Sequence, residues 1–339
     1  MFLCLIKWLQ KSINTANLCT VSWSKNLNGI KLKYSSGNPC QISLIVASVS
    51  IVYSRKRKET MEAVTWIDGN WIEGNPPILG PMTQSTWLGS LVFDGARRIN
   101  GKYPDLDLHC DRLIKSSGNM GLKSPKSASE ILNICMEGCL RFDSSKDLYI
   151  KPLIWAEDGI GIIAPDPEST KLAVCIFPAP LPEGGMSACL SSYIRPMENA
   201  APTDAKAAAL YANTGRAVRE AKAKGYDNCV ICDHEGYVAE FTVANLFKVK
   251  NKIVYTPKPT GTFLVGITRN RVINLLVELG IEVIESKIKP EDLLEADEIF
   301  CSGNYVKLRK IVKYENKNFK NTPIFDLAYK AYWDWMKTI

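Results

Sequence analysis

Residues 171–194 read KLAVCIFPAPLPEGGMSACLSSYI. Two apolar runs with strand character, KLAVCIFP and ACLSSYI, flank the segment PAPLPEGG at 178–185. Proline lacks the amide donor a sheet needs and glycine gives up packing surface, so this segment continues neither strand. It reads as a linker, and it divides the body of the chain at 178–186 into a first part, 61–177, and a second, 187–339.

On the N-terminal side, LYIKPLIWA (148–156) is a further strand, preceded by helical spacing over Leu106–Met120 and from about Ser127 to Phe142, where Ser127 or Ser129 can cap. Earlier still come SLVFDGARRI (90–99) and the pair AVTWID and NWIEG, joined through Asp68-Gly69, a hairpin signal. On the C-terminal side lie a loop, RPMENAAPTDAK (195–206), and a helix over 207–224 closed by Gly225. A strand meander from Asn228 to Tyr255 follows, then a helix from about Thr268, then alternating strand and helix up to a last helix over 324–337. The mixture is α+β, with no internal repeat, no low-complexity tract and no GxGxxG or Walker loop.

The first sixty residues differ from the rest. They mix Trp8, Trp23, Asn and Ser without helical or strand period. Their apolar stretch, Ile42–Tyr53, is shorter than the roughly 20 residues that span a bilayer, and the basic cluster RKRK follows it rather than preceding it, which is wrong for a signal peptide. The segment is expected to lie outside the fold, as upstream sequence ahead of Met61 or as a transit peptide.

This segment also explains the net charge of +7. It holds nine of the 42 Lys and Arg residues and one of the 35 Asp and Glu residues, so charges in 61–339 nearly cancel. No basic stripe with interleaved aromatics remains there, which argues against nucleic acid as a partner. No membrane span is expected either. Eleven scattered cysteines and two histidines suit a reducing cytosol. Cys229 and Cys232 have CxxC spacing but neither a second pair nor a nearby His, and CVIC reads as a buried strand. No metal site is expected.

Four places could carry chemistry. Lys206 stands just before an alanine-rich helix, with Tyr211 on its first turns. Alone it reads as a solvated loop residue; with a fixed backbone and a pocket it suits a Schiff-base lysine. Glu240 ends the strand GYVAE on the face of Val238, where a carboxylate wants a cation. Gly266 opens a helix whose free N–H groups, at Ile267 and Thr268, can bind an anion. Arg112 could add a fork to phosphate. Each also has an ordinary structural reading.

Taken together, VFDGAR, LHCDRL, TDAKAAALY, GYVAEFTVANLF, LVGITRN and ADEIFCSGN, in this order, resemble the fold-type-IV pyridoxal-phosphate enzymes, most of all the branched-chain-amino-acid aminotransferases. The resemblance covers essentially all of 61–339. It implies a two-domain enzyme with a small N-terminal α/β domain and a larger C-terminal pseudo-barrel α/β domain. It also implies pyridoxal 5'-phosphate as cofactor, small amino acids and 2-oxo acids as partners, and a homodimer or higher homo-oligomer in the cytoplasm.

The resemblance implies roles residue by residue. Lys206 is the catalytic Schiff-base lysine, Glu240 the partner of the ring nitrogen, Tyr211 that of the ring hydroxyl. Arg112 grips the phosphate, completed by Leu264, Ile267, Thr268 and Asn304. Phe93, Gly95, Arg97, Tyr149, Lys151, Gly303 and Tyr305 match the substrate side, and Tyr193 adds an aromatic wall. Departures from the family pattern fall on that side. SGNYVK stands for a turn of small residues, so Asn304 replaces a phosphate-binding Thr and Tyr305 enlarges the turn. Lys151 replaces an Arg, and Leu88 a Tyr. Glu240 is followed by FTVA rather than a Gly-rich run. The implied reaction is ping-pong transamination of leucine, isoleucine and valine with 2-oxoglutarate. The alternatives on the same fold are a D-amino-acid aminotransferase, an R-selective amine transaminase and an aminodeoxychorismate lyase; a non-catalytic binding protein would not require Lys206.

Overall fold

Val21-Ser22-Trp23-Ser24 and Ile30-Lys31-Leu32-Lys33 alternate apolar and polar residues. They form an antiparallel hairpin, β1 (Val21–Asn26) and β2 (Gly29–Tyr34), with Asn26 opposite Gly29. The expectation that no strand period exists here is corrected: two short alternating runs pair. This computed structural model describes the backbone of those two strands and residues 62–339. The apolar stretch 42–53 and the RKRK cluster lie outside the described residues. Contacts separate Met1–Thr60 from Met61–Ile339 as two units.

The larger unit opens with β3 (Val64–Ile67) and β4 (Asn70–Glu73). Asp68 and Gly69 turn between them with φ of 47° and 83°, the backbone a two-residue hairpin requires. A short helix, α1 (Gln84–Leu88), leads to β5 (Leu91–Phe93) and β6 (Ala96–Arg98). Two helices follow, α2 (Leu106–Asn119) and α3 (Ala128–Cys139). Ser127 and Glu130 form a reciprocal capping box that starts α3. Next come β7 (Leu148–Ala156), the small hairpin β8 (Gly159–Ile160) and β9 (Ala164–Pro165), and β10 (Thr170–Pro178). The sheet order is β4-β3-β10-β7-β5, and β6 also pairs with β7. Leu106 and Leu113 of α2 and Ile131 and Cys135 of α3 pack on Ile150, Ile154 and Val174 of this sheet. Each such side chain contributes about 1.5–3 kcal/mol by leaving water.

The linker is short and tied down. Arg97 donates to the Ala179 carbonyl, and Arg309 donates to the carbonyls of Glu183, Gly184 and Gly185. After it come β11 (Met186–Ile194), α4 (Tyr211–Ala223), β12 (Asn228–Cys232), β13 (Val238–Phe241), β14 (Asn245–Lys250) and β15 (Ile253–Pro257). Then follow α5 (Ile267–Glu278), β16 (Val283–Ser286), β17 (Glu298–Gly303), β18 (Lys307–Tyr314), β19 (Lys317–Asn318) and α6 (Pro323–Thr338). The helix expected from 207 begins as a 3-10 turn, Ala208–Leu210, and becomes α-helical at Tyr211.

The second sheet runs β13-β12-β11-β18-β17-β14-β15-β16, with β19 on β18. Consecutive strands β13 and β14 are five places apart in that order. In a flat sheet they would lie roughly 24 Å apart at the usual strand spacing, yet only Thr242, Val243 and Ala244 join them. Four Cα steps reach about 15 Å at most, so the sheet curls into a partial barrel. The curl brings the ends of β11, β13 and β17 together beside the start of β14. Cys229 and Cys232 point into the core as the CVIC reading expects, and burial pushes their thiols up to about 12 and about 11, away from reactive thiolate.

Candidate active site

A cavity of about 340 Å³ lies where the strand ends of the curled sheet meet β5, α2 and the loop before α4. Lys206 enters it on a backbone fixed from two sides: its N–H donates to Ser116 Oγ of α2 at 3.1 Å, and its carbonyl accepts from Phe93 of β5 at 3.1 Å. Ala205 and Ala207, both fully buried, hold the chain on either side. The Lys206 ammonium donates to the Tyr211 hydroxyl at 2.8 Å and sits 5.1 Å from the centre of the Phe93 ring. The alanine-rich run thus gives a dense seat that leaves only the long side chain free.

Glu240, at the end of β13, faces this lysine across the cavity and is 8% exposed. The cation its strand face demands is Arg195, whose Nε lies 3.4 Å from Glu240 Oε1 while also donating to the Thr262 carbonyl at 3.0 Å. Burial pushes the Glu240 carboxyl up to about 7, against the opposing pull of Arg195 and Lys206.

The far end is cationic. Arg112 makes a fork with Asp94, Nε to Oδ2 at 2.7 Å and a terminal nitrogen to Oδ1 at 2.8 Å. His109, one turn earlier on α2, reaches Asp94 Oδ1 at 2.7 Å. Asp94 is fully buried, which opposes its charge, yet Arg112 and His109 hold its carboxyl well below the usual range. Burial lowers the His109 pKa, and the Asp94 charge only partly restores it. Beside them the first turn of α5 presents the N–H groups of Ile267 and Thr268, which lack intrahelical partners. Gly266 is needed there: a Cβ would meet Asn245 Oδ1 at 2.1 Å, and that side chain is occupied donating to the Leu264 carbonyl at 3.2 Å.

The remaining wall is the turn Gly303-Asn304-Tyr305-Val306, closed by Val306 N–H to the Gly303 carbonyl at 3.2 Å. Three buried polar atoms at this cavity find no protein partner: His109 Nε2, Ser302 Oγ and Asn304 Nδ2. Buried polar groups are seldom left so, and orphans converging on one cavity mark where a polar ligand binds.

The structure brings Phe93, Gly95, Arg112, Tyr149, Lys206, Tyr211, Glu240, Leu264, Ile267, Thr268, Gly303, Asn304 and Tyr305 into one wall. Four expected residues stand elsewhere. Arg97 is fully buried behind the wall, where it donates to the carbonyls of Asn304 at 3.0 Å, Tyr305 at 2.6 Å and Ala179. It shapes the turn and is not free to take a carboxylate. Lys151 stays behind Phe93, its ammonium 5.2 Å from that ring's centre. Tyr193 packs outside the cavity, under the Arg216 guanidinium at 4.3 Å. Leu88 is 42% exposed at the end of α1. Gly95 is present because Tyr149 crowds it: an added Cβ would sit 2.1 Å from the Tyr149 hydroxyl.

A sequence model of the family described as amino-transferase class IV matches residues 91–314. The chain belongs to the class IV aminotransferases. It is 36% identical over 261 residues to a probable branched-chain-amino-acid aminotransferase of Rickettsia felis, covering 76% of this chain and 89% of that protein. Among solved structures it resembles an aminotransferase from Brucella abortus bound to the co-factor PLP, with a TM-score of 0.80 and 43% identity over 81% of this chain and 99% of that one. It also resembles a branched-chain aminotransferase from Thermoproteus uzoniensis with norvaline, with a TM-score of 0.74 and 29% identity over 81% and 95% of the two chains.

For a class IV aminotransferase, the residues that sequence reasoning missed are the ones that hold others in place. Asp94 lies inside VFDGAR, and His109 lies three residues before Arg112 in LHCDRL, so both were within quoted motifs. Arg195 could have been sought as the cation Glu240 requires, since RPMENAAPTDAK opens with it. Lys307 gave no signal, because nothing in VKLRK distinguishes a buried lysine from a solvated one.

Proposed function

We propose that this aminotransferase binds pyridoxal 5'-phosphate through Lys206 and moves amino groups between branched-chain L-amino acids and 2-oxoglutarate in two half-reactions. The observation that carries this reading is the placement of Lys206, with Tyr211 at 2.8 Å, between a buried acid, Glu240, and a cationic cup. The cup fits the cofactor's phosphate: Arg112 supplies charge, Ile267 and Thr268 supply helix N–H groups, and Ser302 and Asn304 hold orphan polar atoms. When bound, the cofactor's ring accepts the electron pair left as the substrate's α-proton departs.

The residues divide the remaining work. Lys206 Nζ would be the base for the α-proton when it is free of the cofactor. Glu240 would serve the ring nitrogen and keep a proton there, since a carboxylate beside such a nitrogen favours its charged form. Tyr211, 2.8 Å from Lys206 Nζ, would hold that nitrogen in place and stand ready for the ring hydroxyl. The turn at Gly303–Tyr305 receives the α-carboxylate: with Arg97 gripping the Asn304 carbonyl, the trans peptide turns the Tyr305 N–H away from Arg97. Phe93 and Tyr149 give an apolar wall suited to aliphatic side chains. Lys151, 5.2 Å from the centre of the Phe93 ring and in no ion pair among the described residues, would serve the second carboxylate of 2-oxoglutarate.

We also propose that the enzyme is a homo-oligomer working in the cytoplasm. Ile160, Ile162 and Ile163 of the β8–β9 hairpin are exposed together with Met82 and Trp87, an apolar surface that a second copy would cover. Light scattering checks this; a monomer at micromolar concentration rejects it. The substrate reading is tested with a panel of L- and D-amino acids and amines against 2-oxoglutarate. Ready turnover of D-alanine or R-configured amines, with leucine, isoleucine and valine untouched, would overturn it.

A further inference from the structure

Lys307 takes no part in the chemistry above, yet it is 1% exposed and among the largest fully buried side chains. It begins β18 with φ of 54°, a backbone region that side chains other than glycine seldom adopt. Among the described residues its ammonium makes no ion pair. The carboxylate within its electrostatic reach, Asp105, is bonded to Arg271. The hydrogen bond it does make goes to Asn304 Oδ1, at 2.6 Å. One neutral acceptor does not offset the burial of an ammonium, and burial with the nearby Arg97 charge pushes its pKa down to about 7, so an anion placed nearby would favour the charged form.

That bond decides how Asn304 is turned. An ammonium only donates, so the amide oxygen faces Lys307 and the amide NH₂ faces the other way. No hydrogen bond of good geometry engages the buried Asn304 nitrogen, which lies toward the Tyr149 hydroxyl, and Asn304 lines the cavity. Its neighbours there are at the cationic end: Lys307 is within electrostatic reach of His109, and His109 leads to Arg112 through Asp94. Asn304 thus offers a pre-aimed donor, backed by an uncompensated positive charge, at the place where an anion belongs.

We propose that Lys307 is a positioning residue for the cofactor's phosphate: it locks the Asn304 amide with its N–H toward the phosphate oxygens and adds a buried charge behind it. This rests on reading the cavity as the pyridoxal-phosphate site. The test strips the full-length protein of cofactor and titrates back pyridoxal phosphate and, in parallel, pyridoxal, which lacks the phosphate, following visible absorbance. Lys307→Met should weaken pyridoxal phosphate about ten-fold or more, the scale of one charge-assisted hydrogen bond, and leave pyridoxal within about two-fold. Lys307→Gln keeps an N–H for Asn304 and should recover most of the loss. Asn304→Asp gives Lys307 an ion pair, so the protein folds, but it turns a carboxylate on the phosphate and should again weaken pyridoxal phosphate selectively. Unchanged affinity in the Met and Asp variants, or equal loss for both ligands, overturns the proposal and leaves the cofactor reading standing. Failure of the wild type to take up pyridoxal phosphate overturns both.

Discussion

Glu240 holds a carboxyl whose folded-state pKa is raised from 4.5 to about 7, chiefly by burial. A raised value means that the protonated form is favoured in the fold. Its stabilising contribution is therefore complete below about 4.5 and is lost as pH rises to about 7. In cofactor-free protein the loss is on the order of 3 kcal/mol across that window, and Glu240→Gln, which cannot titrate, should lack that part of the slope. Urea unfolding at pH 5 and pH 8 checks this; parallel behaviour of the two proteins would reject it. The same variant should keep cofactor, because Arg112 and the α5 N-terminus still hold the phosphate, but lose turnover by roughly 10²-fold or more, as for removal of a group acting in the transition state. Lys206→Ala should no longer retain label after borohydride treatment; a covalent adduct in that variant would move the attachment to another lysine. Single residues were unevenly legible. Lys206 and Glu240 stood out because a loop lysine and a strand-end acid needed explaining. Arg97 was legible as charged but not as engaged, since a guanidinium that binds three carbonyls looks in sequence like one that awaits a carboxylate.

Elements with local signatures were plain in the sequence: the Asp68-Gly69 hairpin, a serine cap at 127 or 129, which the structure places at Ser127, and the helices α2, α3 and α6. The turn at 303–306 was placed only through the family resemblance, and the positive φ of Lys307 behind it has no compositional sign. The curl of the second sheet was not plain either, since it follows from strand order rather than from any strand. Two glycines carry element-level expectations. Gly266→Ala places a methyl 2.1 Å from Asn245 Oδ1 and 3.3 Å from Arg269 Cβ. Asn245 must then release Leu264, and the α5 N-terminus shifts, so affinity for pyridoxal phosphate should fall by about ten-fold or more, the effect of losing one or two anion hydrogen bonds. Gly95→Ala meets the Tyr149 hydroxyl at 2.1 Å and its ring carbon Cζ at 2.7 Å. The displaced ring should raise the KM for amino acids while cofactor affinity holds. Equal damage to both would show a general loss of packing instead.

At the scale of the molecule, we propose that residues 1–60 are dispensable, since Met61–Ile339 forms a unit of its own and, among the described residues, holds the cavity's lining. A protein beginning at Met61 should match the full chain in thermal midpoint and in turnover; loss of cofactor binding on truncation would reject the idea. The segment between the two sheets bears on how substrate enters. It was read from its prolines and glycines as a linker, and such a linker invites the picture of two lobes swinging apart. The structure gives it little freedom. Arg97, rooted in β6, clasps Ala179 at one end of the segment and the Asn304 and Tyr305 carbonyls of the opposite lobe, while Arg309 clasps Glu183, Gly184 and Gly185 at the other end. A swing would break the two Arg97 bonds that cross between the lobes, to the Asn304 and Tyr305 carbonyls, each worth roughly 1.5–3 kcal/mol. The two lobes are therefore clasped to each other at Arg97, and we expect an amino acid to reach Lys206 through side-chain movement at a standing mouth rather than through a closing jaw.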